Sequence, residues 1–228
     1  MKLSKYIDHT KLGANVSKAE IDKLIKEAIQ FDFKSVCVNP IWVSYAKEQL
    51  KGTDVLVCTV IGFPHGTHTA LIKTQETLDA VLNGADEVDM VINVSALKAG
   101  DYETILDEIR GVVVAAQEKI VKVIIETAYL TKEEIVKVSN LVVEAGAEYV
   151  KTSTGFASSG ATVEDVKLMK DTVKDKALVK ASGGVRTYED AMKMIEAGAS
   201  RIGTSNGVDI VNKKENKNDT NSTYWSKR

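Results

Sequence analysis

EAGAEYVKT, residues 144–152, joins a glycine to an apolar run that ends on a lysine. NGADEVDMV (83–91) and EAGASRIGT (196–204) have the same form. In each, the glycine suits the left-handed position just past a helix C-terminus, and a β-rich run follows at once. A helix that stops on glycine and feeds a strand, repeated along one chain, means alternating helix and strand, hence a parallel sheet with crossover helices. Working outward from these stretches, the strand candidates are YIDHT, KSVCV, DVLVCTVI, EVDMVIN, VKVIIET, EYVKTS, ALVKAS and SRIGTS, eight in all. Between the first two, Ile21, Leu24, Ile25, Ala28 and Ile29 recur at helical spacing. Ser17-x-x-Glu20 and Thr131-x-x-Glu134 are capping boxes, and Thr162-x-x-Asp165 and Thr187-x-x-Asp190 are acidic variants.

Eight such units predict a closed (β/α)8 barrel of the TIM type, in one domain over residues 1–211. A doubly wound open sheet is the alternative, and no GxGxxG follows the first strand to favour it. From Asn212 the sequence NKKENKNDTNSTYWSKR is polar and aperiodic, so 212–228 is expected to form a disordered tail, with an eighth helix that is short or missing.

Composition narrows the function. The 228 residues are 44% hydrophobic and 27% charged, with a formal net charge of −2. Without a basic stripe, neither nucleic acid nor an anionic membrane surface is the expected partner. MKLSKYIDHT lacks the apolar core of a signal peptide, and no apolar run reaches a membrane span. Cys37 and Cys58 lie inside strand-like runs and make no secreted disulfide framework. These features predict a cytoplasmic location.

The repeat also places side chains. Five residues on from Gly84, Gly146 and Gly198 stand Asp89, Lys151 and Gly203, and with Asp32 in the glycine's place the same step reaches Cys37. These positions fall on strands 2, 4, 6 and 8, and alternate strands of a (β/α)8 barrel supply one interior layer. Lys180, on strand 7, is expected to reach the same region from the next layer. A strand lysine is usually solvated or salt-bridged, but the outer face of a barrel strand is covered by helices. Two lysines and an aspartate converging near the C-terminal strand ends point to function, because barrel active sites lie there. Adjacent ammonium groups repel and burial disfavours charge, so one amine is expected to be uncharged and able to attack a carbonyl. The other, kept cationic by Asp89, would handle protons. That is the logic of a metal-free aldolase using neither metal nor cofactor. SGGVR (182–186) and GTSNG (203–207) follow strands 7 and 8, the usual phosphate site of such barrels. Gly183 and Gly184 allow close approach, while Ser205 and Asn206 can donate hydrogen bonds.

At these residues the chain resembles the deoxyribose-phosphate aldolase family, the class I, Schiff-base aldehyde-lyases. IDHT, SVCVNP, VCTVIGFP, NGADEVDMVIN, VIIETAYLT, YVKTSTGF, KASGGVRT and RIGTS carry the resemblance, from Tyr6 to Val211. It implies reversible cleavage of 2-deoxy-D-ribose 5-phosphate to acetaldehyde and D-glyceraldehyde 3-phosphate, in deoxyribonucleoside catabolism. It further implies Lys151 as the nucleophile and Asp89 with Lys180 as the proton-transfer pair. Gly155, Gly183, Gly184, Gly203, Ser205 and Asn206 would cradle the phosphate, with Arg186 assisting, while Thr10 and Cys37 line the pocket. A homodimer is a reasonable expectation on the same basis. The chain departs from the pattern at KLGANVS, which lacks a proline-containing turn, and at Ala128. Tyr224, in the polar tail, has no sequence context supporting a catalytic role. His65 and His68 in PHGTH suggest loop and cap roles rather than a metal pair, and His9 a hydrogen-bonded structural role. Cys37 is open to two readings, a reactive thiol beside lysines or an inert core cysteine. The alternatives are a transaldolase-like or keto-acid aldolase on the same barrel, or a catalytically silent sugar-phosphate binder.

Overall fold

The computed structural model describes residues 2–219, and side chains through residue 213. Each of the eight apolar runs forms a strand: β1 (Ile7–Lys11), β2 (Ser35–Val38), β3 (Leu56–Ile61), β4 (Glu87–Val91), β5 (Ile120–Ile124), β6 (Tyr149–Lys151), β7 (Leu178–Ser182) and β8 (Arg201–Thr204). They pair in parallel in chain order, and β8 closes on β1 with Asp8 opposite Gly203. The expected (β/α)8 barrel is thus the fold.

Helices cover the outside: α1 (Lys18–Phe31), α2 (Val43–Gln49), α3 (Ala70–Leu82), α4 (Val94–Lys98), α5 (Tyr102–Ala115), α6 (Lys132–Glu144), α7 (Val163–Val173), α8 (Tyr188–Glu196) and α9 (Gly207–Asp219). The capping chemistry read from sequence operates. Complete capping boxes open α1, α6 and α8, and Thr162 accepts from the Asp165 N–H at the start of α7. Gly84, Gly146 and Gly198 take φ of 103°, 86° and 114°, and Asp32 substitutes for glycine at φ 54°. The left-handed turn is therefore what ends these helices and aims the following strand. Asp86 ties the start of β3 by accepting from the Val57 N–H at 3.0 Å and pairs with Lys47 at 2.7 Å.

Two expectations need correction. Ile29 was placed on the buried face of α1, yet it is 43% exposed while Ile21, Leu24, Ile25 and Ala28 are buried. Eight residues on from Ile21 the helix has turned by roughly 80° from it, which puts Ile29 at the edge of the stripe. The eighth helix is neither short nor missing, because α9 runs to Asp219. Its first turns are anchored by Ile210, Val208 and Val211 on the core. Propagation from an anchored turn needs only tolerable helix formers, and the Lys and Glu residues that follow meet that need. Of the segment expected to be a disordered tail, residues 220–228, with Tyr224, lie outside the described residues.

Strand alternation produces an unusual division of labour. Val36, Val57, Val88, Met90, Val121, Val123, Val150, Val179 and Ile202 are buried in the core cluster shared with the helices. Removing each such side chain from water contributes about 1.5–3 kcal/mol. The intervening positions include Asp8, Glu87, Asp89, Lys122, Lys180 and Arg201, all buried as well. The main hydrophobic core is the layer between barrel and helices, while the barrel interior holds the ionic groups beside a small cluster of Cys37, Cys58 and Val60.

Candidate active site

Lys151 ends β6, and its ammonium donates to Asp89 Oδ2 at 2.7 Å. Lys180, from β7, donates to the same oxygen at 2.6 Å. The two lysines predicted to meet therefore do so, but not as facing cations, because the Asp89 carboxylate stands between them. Asp89 Oδ1 takes Lys122 at 2.8 Å. Lys122 also pairs with Glu87 at 2.6 Å and Lys180 with Asp8 at 2.5 Å. Arg201 completes the network, with Nη1 and Nη2 forked onto Glu87 at 3.0 and 2.7 Å and Nε on Asp8 at 2.9 Å.

Burial alone would raise the Asp89 carboxyl, but the charges of Lys122, Lys151 and Lys180 outweigh it and hold it well below the ordinary range. Asp8 and Glu87 are likewise held low against burial, Asp8 chiefly by Arg201 and Lys180, Glu87 chiefly by Lys122. Burial works against the charge on Lys180, Lys122 and Arg201, yet the carboxylates around them raise all three above their usual values. The expectation that Asp89 keeps Lys180 cationic agrees with this environment. With Lys151, the network sets four basic side chains against three carboxylates.

Gly203 faces this cluster, and a Cβ there would lie 3.1 Å from Lys180 Cε and 3.0 Å from Ser182 Cβ. The bare glycine is the space that the lysine stem occupies. Above the cluster, a cavity of about 420 Å³ opens at the C-terminal strand ends. Lys151, Thr10, Gly155, Gly183, Gly184, Gly203, Ser205, Asn206 and Arg186 all line it. Asp89 and Lys180 are fully buried beneath it and do not. Lys151 is therefore the member of the network that lines the cavity. Gly183 and Gly184 take φ of 80° and 79°, and a Cβ on Gly183 would lie 2.9 Å from Gly160 Cα. Thr204 Oγ1 accepts from the Asn206 N–H at 2.9 Å and donates to the Val185 carbonyl at 2.7 Å, so one hydroxyl ties the loops after β7 and β8. Lys11, paired with Glu20 at 2.9 Å, stands with Arg186 at the cavity wall.

Cys37 does not line the cavity. It is fully buried beside Cys58, because the strand register places both thiols on the inner face below the cavity floor. The Cys58 hydrogen bond lowers the Cys37 thiol, while burial raises that of Cys58. Cys37, Cys58 and Asp89 bring one donor atom each within 4.8 Å of one another. They do not suit a cation, since Asp89 already takes three ammonium groups and Lys122 lies 3.5 Å from Cys58 Sγ. His65 and His68 are exposed and belong to no such cluster among the described residues. His9 is buried, with Nε2 2.7 Å from Glu27, in the structural role expected of it.

Sequence reasoning missed Lys122, Asp8, Glu87 and Arg201 as parts of the site. The rule that singled out Lys151, a charge inside an apolar strand, also applies to Lys122 between Val121 and Val123.

A closed barrel with a lysine amine at the floor of a polar cavity offers the groups that an aldolase uses. Sequence comparison agrees: the chain belongs to the DeoC/LacD family of aldolases, matching it over residues 2–213. It is 61% identical over 219 residues to the deoxyribose-phosphate aldolase of Staphylococcus saprophyticus, covering 96% of this chain and 100% of the relative. With that of Acholeplasma laidlawii it shares 57% over 224 residues, covering 98% and 100% of the two chains. The solved deoxyribose phosphate aldolase of Aeropyrum pernix, described as a tetramer, superposes with a TM-score of 0.87 at 30% identity, covering 93% of this chain and 91% of that one.

Proposed function

We propose that this chain cleaves 2-deoxy-D-ribose 5-phosphate reversibly to acetaldehyde and D-glyceraldehyde 3-phosphate through a Schiff base on Lys151. The carrying observation is the position of Lys151, at the cavity floor and joined through Asp89 to Lys180. One cation in excess is the charge that release of a single ammonium proton would balance. Lys151 has one carboxylate partner, which it shares, whereas Lys122 and Lys180 each have two. The free amine then attacks the C1 aldehyde, and loss of water gives an iminium. Electron withdrawal into the iminium lets the C2–C3 bond break as the C3 hydroxyl gives up its proton. The three-carbon aldehyde departs, an enamine remains, and protonation at C2 followed by hydrolysis frees acetaldehyde and the lysine.

Asp89 and Lys180 serve as the proton store behind Lys151, exchanging through water admitted by the cavity. The phosphate is held by Gly155, Gly183, Gly184, Gly203, Ser205 and Asn206, with the α8 and α9 N-termini and the charges of Arg186 and Lys11 favouring the anion. Thr10 forms the opposite wall, and Cys37 seals the floor rather than touching substrate. No helix among the described residues is long and apolar enough to cross a membrane. A cytoplasmic location, expected from the sequence features above, and a homodimer, expected from the family resemblance, complete this reading.

Incubation with the sugar phosphate, with both aldehydes quantified, tests the activity. Turnover of keto acids or ketoses instead would favour the other aldolase reading, and retained binding without turnover the silent binder. Dialysis against a chelator is expected to leave the rate unchanged, because the cationic network disfavours a divalent ion at Asp89. Loss of rate that a divalent ion restores would contradict the metal-free mechanism.

A further inference from the structure

Glu126 follows β5 in a left-handed conformation, φ 54° and ψ 69°, which a residue with a Cβ rarely adopts. It is 4% exposed. The turn is held from both sides, by Ile125 N–H on the Lys151 carbonyl and Thr127 N–H on the Thr152 carbonyl, each at 3.0 Å. Its carboxylate accepts from the Thr154 backbone N–H at 3.3 Å and from the Thr154 hydroxyl. That hydroxyl in turn accepts from the Phe156 N–H at 3.0 Å. Thr154 lines the cavity, and Glu126 does not.

A threonine hydroxyl has one proton and two lone pairs. Burial pushes the Glu126 carboxyl up, while the two Thr154 hydrogen bonds and the nearby Lys151 favour its ionised form. An ionised carboxylate only accepts, so in that form the Thr154 proton is committed to Glu126, and the Phe156 N–H takes one lone pair. What is left for a ligand is a single acceptor site. Thr154 lies between Lys151, at the reacting end, and Gly155, in the phosphate cradle. A sugar phosphate spanning those ends carries two hydroxyls in between, on C3 and C4; the C3 hydroxyl is the one that gives up its proton in cleavage, which leaves the C4 hydroxyl for Thr154.

We propose that Glu126 is a positioning residue that holds Thr154 as a hydrogen-bond acceptor for the C4 hydroxyl, making the site selective for a 2-hydroxy aldehyde phosphate. The inference rests on the aldolase reading above. Glu126→Gln keeps an oxygen for the Thr154 N–H but places an amide donor against the hydroxyl, which turns the threonine proton toward the cavity. Thr154→Val removes the acceptor with little change of shape.

The test compares, in the synthetic direction with acetaldehyde, kcat/KM for D-glyceraldehyde 3-phosphate and for 3-oxopropyl phosphate, which lacks the hydroxyl. Both variants are expected to lower that ratio by about 10-fold. The double variant should equal Thr154→Val alone, because the two residues act through one hydroxyl, and Thr154→Ser should restore the ratio. A ratio unchanged by Thr154→Val overturns the proposal whether or not Glu126→Gln folds. So does a folded Glu126→Gln protein with the wild-type ratio, or an additive double variant. Borohydride trapping of the wild-type protein with acetaldehyde tests the aldolase reading separately. If the wild-type protein cannot be trapped, the aldolase reading fails instead.

Discussion

Lys151→Arg is expected to abolish cleavage, lowering kcat on the order of 10⁴-fold or more, while the protein remains folded. Arginine keeps a basic group beside Asp89, so the make-up of the ionic network is unchanged. Its guanidinium holds its proton far above physiological pH and cannot condense with an aldehyde to an iminium. The side chain stands at the edge of a cavity of about 420 Å³, so the larger head has somewhere to go. Steady-state kinetics beside a thermal unfolding curve separates the two effects. A near-normal rate would place the nucleophile elsewhere.

The second large effect follows from the charge count. Removing an anion from the barrel interior should cost far more than removing a cation. Asp8→Asn leaves Lys180 and Arg201 each short of a carboxylate and widens the imbalance to four cations against two anions. Stranding buried charge in this way costs about 3–5 kcal/mol, or a fall in Tm of roughly 10 °C for a chain of this size. Lys122→Met instead leaves Glu87 on Arg201 and Asp89 on Lys151 and Lys180, so charges match and a similar volume is filled. It should therefore be clearly the milder change. The reverse order in urea or thermal unfolding would mean that the network is not cationic in the folded protein.

The architecture was legible because its signals are local. Gly146 and Lys151, five residues on from it, belong to one stretch, and the left-handed φ at Gly84, Gly146, Gly198 and Asp32 is a property of single residues. The ruler built on them brought Asp89, Lys151 and Gly203 to one region of the interior, and neighbouring strands added Lys180. The pairing of Arg201 with Asp8 was not legible, because it depends on closure. Arg201 meets Asp8 only when β8 closes on β1, and no local pattern records a contact between residues so far apart. Glu87 was legible and missed: it stands two residues before Asp89 on one strand, so alternation turns both to the interior face. Burial of Cys37 below the cavity is a matter of depth, which a count along the strand does not measure. The length of α9 was misjudged because composition reports the lack of a buried face, whereas the helix is carried outward from an anchored first turn.

Reductive trapping tests the central claim most directly. The protein is incubated with acetaldehyde, reduced with borohydride, digested, and mapped by mass spectrometry. A single ethyl group on the peptide bearing Lys151, absent from the Lys151→Arg variant, is the predicted result. An adduct on Lys180 or Lys122, or no adduct at all, would contradict it.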